Sequence, residues 1–173
     1  IEPAGAGEAS KQSTEEAYGS YRPDDKKPEE RVPDILARGR LIVGVDRSNN
    51  LLSYRDTASG EVRGFEVDIA REIARDIFGD PNKVDFRFVE ASERARALND
   101  RTVDIVIRTM TISSSRQREV SFSIPYMQTD ARLLVLKNSG VESIADPAGM
   151  PLCATKGSTM VDAIRTHAPA SDI

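Results

Sequence analysis

Apolar positions recur along this chain at two spacings, and the switches between them mark its elements. Residues 41–45 (L-I-V-G-V) carry no charge until Asp46, the pattern of a strand buried on both faces. Over residues 64–79 the period changes. Val67, Ala70, Ile73, Ala74, Ile77 and Phe78 fall on one helical face, and Glu66, Arg71, Glu72, Arg75 and Asp76 are expected on the other. Gly79-Asp80-Pro81-Asn82 stops that helix. Val84, Phe86 and Phe88 alternate with polar residues and predict a second strand. A short helix is expected over 92–99, capped by Ser92, with Ala95 and Leu98 inward. Residues 103–107 give a third strand whose apolar run only Asp104 interrupts. Residues 51–54 and 61–63 predict a hairpin ahead of the long helix. Pro33 and Gly39 frame a short helix before the first strand.

Further along, the helix begun at Ser115 is expected to continue to Val120, with Phe122 and Ile124 packed behind it. Residues 132–137 (R-L-L-V-L-K) predict a long apolar strand, 141–148 a short helix, and 152–154 a brief strand. An amphipathic helix is expected over 160–167, capped by Ser158 or Thr159. Residues 1–32 hold almost no large apolar side chain beyond Tyr18 and Tyr21. Such a segment buries too little to offset its ordering entropy, so it is expected to be a disordered polar linker. Strands alternating with helices predict an α/β fold with a parallel sheet.

The three strands end in polar residues, near Asp46, Glu90 and Arg108. Ligands of open α/β sheets bind beyond the carboxyl ends of strands. The third strand end is the richest: Arg108, Thr109, Thr111, three consecutive serines and Arg116. Two guanidiniums, several hydroxyls and a helix start are suited to an anion. The competing reading is a solvated loop with two surface arginines. Composition narrows the partners. The 173 residues carry a net charge of -4, and no basic tract points to nucleic acid. No apolar run approaches the roughly 20 residues that span a bilayer. No stretch reads as a secretory leader, so the chain is expected to be cytoplasmic or already processed. Cys153 cannot pair within the chain, and with His167 the sole histidine, neither a metal centre nor a histidine-dependent triad is expected. No cofactor is expected either.

The run Gly64-Phe65-Glu66-Val67-Asp68-Ile69-Ala70 closely resembles the signature helix of the polar amino-acid solute-binding proteins of bacterial ABC importers. V-D-I-V-I-R-T-M-T-I resembles the ligand strand of that family, F-S-I-P-Y-M its lead into the hinge, and K-G-S-T its second-lobe loop. The resemblance covers about residues 32–166, and the glutamate-, aspartate- and glutamine-binding lipoproteins of actinobacteria look most similar. It implies the type II periplasmic binding protein fold, a two-lobed Venus flytrap. Residues 33–126 would form lobe 1, 127–137 the hinge and first crossing strand, and 138–173 the start of a lobe 2 that is incomplete here.

The resemblance also implies roles. Arg116 would fork onto the ligand α-carboxylate, with Thr111 adding an N–H and a hydroxyl. The Thr109 carbonyl would take the ammonium. Arg108 departs from the small residue usual there and would suit a second, side-chain carboxylate, which favours glutamate or aspartate over glutamine; its alternative is a surface arginine paired with Glu90 or Glu93. Asp46 and Asn49 match the ligand-contacting loop of the first strand, and Asp46 could instead only cap a turn. Glu90 would stand beside the ligand, while Ser158 and Thr159 would close on its carboxylate. Lys156 would neutralise an acidic ligand or stay solvated. No motif matches the acidic residue that lobe 2 normally supplies for the ammonium. Relatives pair a cysteine at the position of Cys153 with one in the missing part; the alternative is a buried free thiol. The implied function is extracytoplasmic capture of an acidic or amide amino acid and delivery to an ABC importer permease or a membrane sensor, with no enzymatic step and with membrane contact only through an N-terminal lipid anchor. The alternatives are an enzyme on the same scaffold, such as a dehydratase or a lytic transglycosylase-like protein, and a sensor module of a receptor.

Overall fold

The structure, a computed structural model, describes residues 24–143, 146 and 149–173. Most of the expected linker, with Tyr18 and Tyr21, lies outside the described residues, as do 144, 145, 147 and 148 of the expected short helix. In chain order the elements begin with α1 (Pro28–Arg31) and α2 (Pro33–Arg38), each opened by a proline whose fixed φ suits a first turn. Then come β1 (Leu41–Val45), β2 (Ser48–Asn49), β3 (Ser53–Arg55), β4 (Val62–Arg63) and α3 (Phe65–Phe78). After α3 follow β5 (Val84–Phe88), a 3-10 turn (Ala91–Glu93), α4 (Arg94–Asn99), β6 (Ile105–Val106), α5 (Ser114–Gln117) and α6 (Thr159–His167).

β1 is the middle strand of a parallel sheet ordered β5-β1-β6, with Val45 opposite Phe88 and Gly44 opposite Val106. A middle strand is covered on both faces, which is why its sequence is uninterrupted apolar. Leu41, Val43 and Val45 are at most 1% exposed, and each such side chain stabilises by roughly 1.5–3 kcal/mol. Ala70 and Ala74 of α3 pack on them, with Ile69, Ile73, Ile77 and Phe78 around the margin. The expected hairpin forms as a second, antiparallel sheet ordered β2-β3-β4. Because β5, β1 and β6 all run the same way, their carboxyl ends share one rim.

The third strand is shorter than expected. Only Ile105–Val106 forms the ladder, flanked by bonds from the Asp104 N–H to the Ile42 carbonyl and from the Ile107 N–H to the Gly44 carbonyl, both 2.9 Å. Its interrupting charge has a use: the Asp104 carboxylate accepts from the Ile42 N–H at 2.7 Å and pairs with Arg38. The helix expected from Ser92 opens with the 3-10 turn, and Ser92 lies inside that turn and caps nothing. Residues 132–137 are not a strand. No described chain lies beside them to complete a ladder, and Leu134 and Leu136 are exposed to solvent. Residues 152–154 form no strand either, because the Leu152 N–H turns to the Asp172 carbonyl at 2.7 Å. Among the described residues Cys153 is exposed, where the alternative expectation was a buried thiol.

Candidate functional site

Beyond the shared rim lies a cleft of about 390 Å³. Each strand end delivers to it what the sequence places there: Asp46 from β1, Glu90 after β5, Arg108 and Thr109 after β6. Asn49 enters from β2, Thr111 from the loop after β6, and Arg116 from α5. Ser158 and Thr159 face them from the head of α6. All nine predicted site residues thus line one cavity. Lys156 and Tyr54 are not in the lining, and Phe65 is half-exposed against the Tyr126 ring, 6.3 Å between centroids.

Arg116 donates through Nη1 to the Thr111 carbonyl at 2.8 Å and through Nη2 to the Gly157 carbonyl at 2.9 Å. Those bonds hold its guanidinium in the lining. α5 has only four residues, so it supplies no appreciable dipole, and the positive potential here comes from guanidiniums. Ser113 caps it, its Oγ accepting from the Arg116 N–H at 3.4 Å. Ser158 caps α6 by accepting from the Met160 N–H at 3.3 Å, and the Thr159 and Thr111 hydroxyls lie 3.5 Å apart across the cleft.

Arg108 is not the surface arginine that the alternative expectation paired with Glu90 or Glu93. It is buried, and its Nη2 lies 3.0 Å from Asp46 Oδ2; neither Glu90 nor Glu93 is its partner. Its Nε is buried with no bonding partner among the described residues. Asp46 both caps its turn, accepting from the Ser48 N–H at 3.1 Å, and carries this ion pair. A pair whose members stand 62 residues apart is not readable from spacing, because Asp46 and Arg108 follow β1 and β6, which meet only through the sheet.

Two residues of the site's support were not singled out from sequence. Arg94, 4% exposed, donates to the carbonyls of Ala91 (2.8 Å), Arg108 (3.0 Å), Thr109 (3.3 Å) and Gly157 (3.2 Å). Burial, then Arg116 and Arg108 nearby, push its pKa down to about 10. Glu66, expected on the solvent face of α3, is instead fully buried. Its Oε1 accepts from the Thr109 N–H at 2.7 Å and the Tyr126 hydroxyl at 2.6 Å. Burial raises the Glu66 carboxyl above its ordinary value, and burial and then Glu66 raise the Tyr126 phenol. The signal for Arg94 was a charge inside a short helical pattern; Glu66 stood in the Gly64–Ala70 run that carries the resemblance, with nothing in its spacing to mark burial. Among the described residues no group of His, Cys, Asp and Glu is placed to hold a metal ion, and no helix is long and apolar enough to cross a membrane.

Chemically the cleft offers buried and half-buried guanidiniums, one of them neutralised, facing hydroxyls and one further carboxylate. Comparison with known proteins gives this arrangement a context. A family model described as "Bacterial extracellular solute-binding proteins, family 3" matches residues 41–168. The glutamine-binding protein of Geobacillus stearothermophilus is 40% identical over 140 residues, covering 80% of this chain and 53% of that protein. The ABC transporter glutamine-binding protein GlnH of Bacillus subtilis is 34% identical over 168 residues, covering 96% and 56%. The chain therefore spans about half the length of these relatives. Among solved structures, an ancestral amino acid-binding protein described as a precursor of cyclohexadienyl dehydratase superposes with a TM-score of 0.74 at 29% identity, covering 83% of this chain and 63% of that one.

Proposed function

The chain belongs to the family 3 bacterial extracellular solute-binding proteins and has their type II periplasmic binding protein fold, and from that premise we propose that it captures an amide or acidic amino acid outside the cytoplasm. Residues 33–126 act as one lobe, 127–137 as the hinge, and 138–173 as the beginning of the second lobe. Arg116 binds the α-carboxylate bidentately, joined by the Thr111 and Thr159 hydroxyls and by Ser158. The Thr109 carbonyl and Glu90 receive the ammonium. The side chain of the ligand reaches Asn49, Asp46 and Arg108. A cleft of about 390 Å³ sits in the range of about 300–1,000 Å³ typical of small-molecule sites.

The observation that carries the ligand class is the Asp46–Arg108 pair at 3.0 Å. A guanidinium neutralised by a carboxylate presents donors and an acceptor side by side with little net charge. A primary amide matches both, whereas a side-chain carboxylate would face the largely buried Asp46 carboxylate. This moves the preference from glutamate and aspartate, favoured by the sequence, toward glutamine. The names of the relatives reported above support the same direction. Delivery is to an ABC importer, as the GlnH name suggests, and residues 1–32 serve as a tether behind a lipid anchor. The test is calorimetry with glutamine, asparagine, glutamate and aspartate on the intact protein. Arg116→Ala is expected to weaken binding at least about a hundredfold, since it removes a charge-assisted forked pair. Wild-type affinity in that variant would sink the assignment. An enzymatic role on the same scaffold has the dehydratase-related neighbour in its favour, with Glu90 as the acid at hand. It predicts chemical change in bound amino acid, which NMR of a recovered ligand detects; recovery unchanged is expected.

A further inference from the structure

Among the described residues, Glu66 is the carboxylate that the core encloses completely, and none of the proposed ligand contacts uses it. The backbone sets its position. The Phe65 and Glu66 N–H groups donate to the Leu51 and Leu52 carbonyls, both at 2.9 Å. Gly64 (φ 127°) passes so close to Leu52 that a Cβ would lie 2.3 Å from the Leu52 carbonyl oxygen, so only glycine fits. The first turn of α3 is thereby pinned, and the Glu66 side chain points at the end of β6. One oxygen, Oε1, takes both the Thr109 N–H and the Tyr126 hydroxyl, while Oε2 is buried with no bonding partner among the described residues.

Thr109 needs such an acceptor. The sheet ladder ends at the Ile107 N–H, so the Thr109 N–H has left the sheet and cannot bond to β1. Thr109 also sits at φ 40°, in the left-handed region, which strains a non-glycine residue. The carbonyl on the other side of that peptide, Arg108's, accepts from Arg94 at 3.0 Å, and Thr109's own carbonyl does so at 3.3 Å. Such strain persists only where neighbours hold it. We propose that Glu66 is a positioning residue for the cleft: its Oε1, shared between the Thr109 amide and the Tyr126 hydroxyl, fixes the left-handed backbone at Thr109 and thereby the strand-end groups that face the ligand. Tyr126 adds a second effect. It lies just before residues 127–137, so the same oxygen ties the cleft floor to the segment that leaves the lobe. The inference deepens the amino-acid reading of the cleft and rests on it for its functional consequence.

Three variants of the intact protein test it: Glu66→Gln, Glu66→Ala and Tyr126→Phe. The Thr109 amide, followed by ¹H–¹⁵N NMR, reports the clasp without any ligand, and calorimetry with L-glutamine reports its consequence well below the melting temperature. Glu66→Gln keeps an acceptor oxygen, so the amide stays hydrogen-bonded and the glutamine Kd stays within about threefold of wild type. Glu66→Ala removes the 2.7 Å acceptor and leaves the Thr109 N–H only the longer bond to the Tyr126 hydroxyl at 3.2 Å, itself no longer anchored by Glu66, so the amide shift moves and affinity drops about tenfold or more. Wild-type affinity in Glu66→Ala, or a loss in Glu66→Gln as deep as in Glu66→Ala, overturns the proposal. Where Glu66→Ala does not fold, Tyr126→Phe decides: a moved Thr109 amide with weakened binding supports the clasp, and both unchanged overturns it. Failure of the wild type to bind glutamine counts against the ligand class alone, and the Thr109 amide in Glu66→Gln and Tyr126→Phe then decides the clasp by itself.

Discussion

Asp46 is the residue on which the proposed choice between amide and carboxylate ligands turns. Its carboxylate lies 3.0 Å from the Arg108 guanidinium, and both are largely buried. Replacing Asp46 with Asn keeps the shape and leaves the arginine charge uncompensated. The ratio of glutamate to glutamine affinity is then expected to rise about tenfold or more, as a like charge is exchanged for a neutral group in a desolvated site. Competition calorimetry with the two amino acids reads that ratio, and an unchanged ratio would remove the pair from specificity. Glu66 makes a second residue-scale prediction, about pH. Burial lifts its folded-state carboxyl above the ordinary value of 4.5. Between the ordinary and the raised value the folded state holds more protons than the unfolded one, so stability falls as pH rises through that window. Glu66→Gln lacks this titration. The melting temperature of the variant relative to wild type is expected to climb from pH 4 upward and then level off; a flat or falling difference would contradict a raised carboxyl.

At the scale of elements, α6 is tied to the cleft by its first residues. Ser158 caps it, Thr159 faces Thr111, and Gly157 just ahead touches Ser92. Ser158→Ala is expected to cost about 1 kcal/mol of stability, read in denaturant melts, and to weaken glutamine binding through the same lost hydroxyl. A stability loss with unchanged binding would confine Ser158 to capping. Elements also show what the sequence revealed and what it hid. β1, α3 and β5 were legible because burial imposes a period on them, and their order alone brought Asp46, Glu90 and Arg108 to one rim. The partner of Arg108 was hidden, because Asp46 stands on a different strand and the choice among Asp46, Glu90 and Glu93 depends on side-chain direction. Glu66 was misread for a related reason. Helical periodicity assigns faces along the whole of α3, but the first turn looks onto the end of β6, where a polar group is needed. The expected strand at 132–137 failed differently: an apolar run specifies burial, and only a neighbouring strand makes it a sheet.

The whole molecule joins a well-covered parallel sheet to a C-terminal stretch that meets it mainly through polar bonds. Arg94 and Arg116 both donate to the Gly157 carbonyl, at 3.2 and 2.9 Å. A Cβ at Gly157 (φ 77°) would lie 2.6 Å from the Ser92 Cα, so this close approach depends on the missing side chain. Those bonds carry a consequence for rates. They join the two walls of the cleft through protein atoms alone, so in the proposed capture cycle closure would draw part of its stability from the polypeptide and not from cargo. On the proposed reading, arrival of an amino acid at Arg116 would be a two-step event in which separation of the walls precedes contact. In stopped-flow mixing, the observed association rate is expected to plateau as glutamine concentration rises, at the frequency with which the walls part. A rate that keeps climbing in proportion to concentration would mean that traffic through the cleft is set by diffusion.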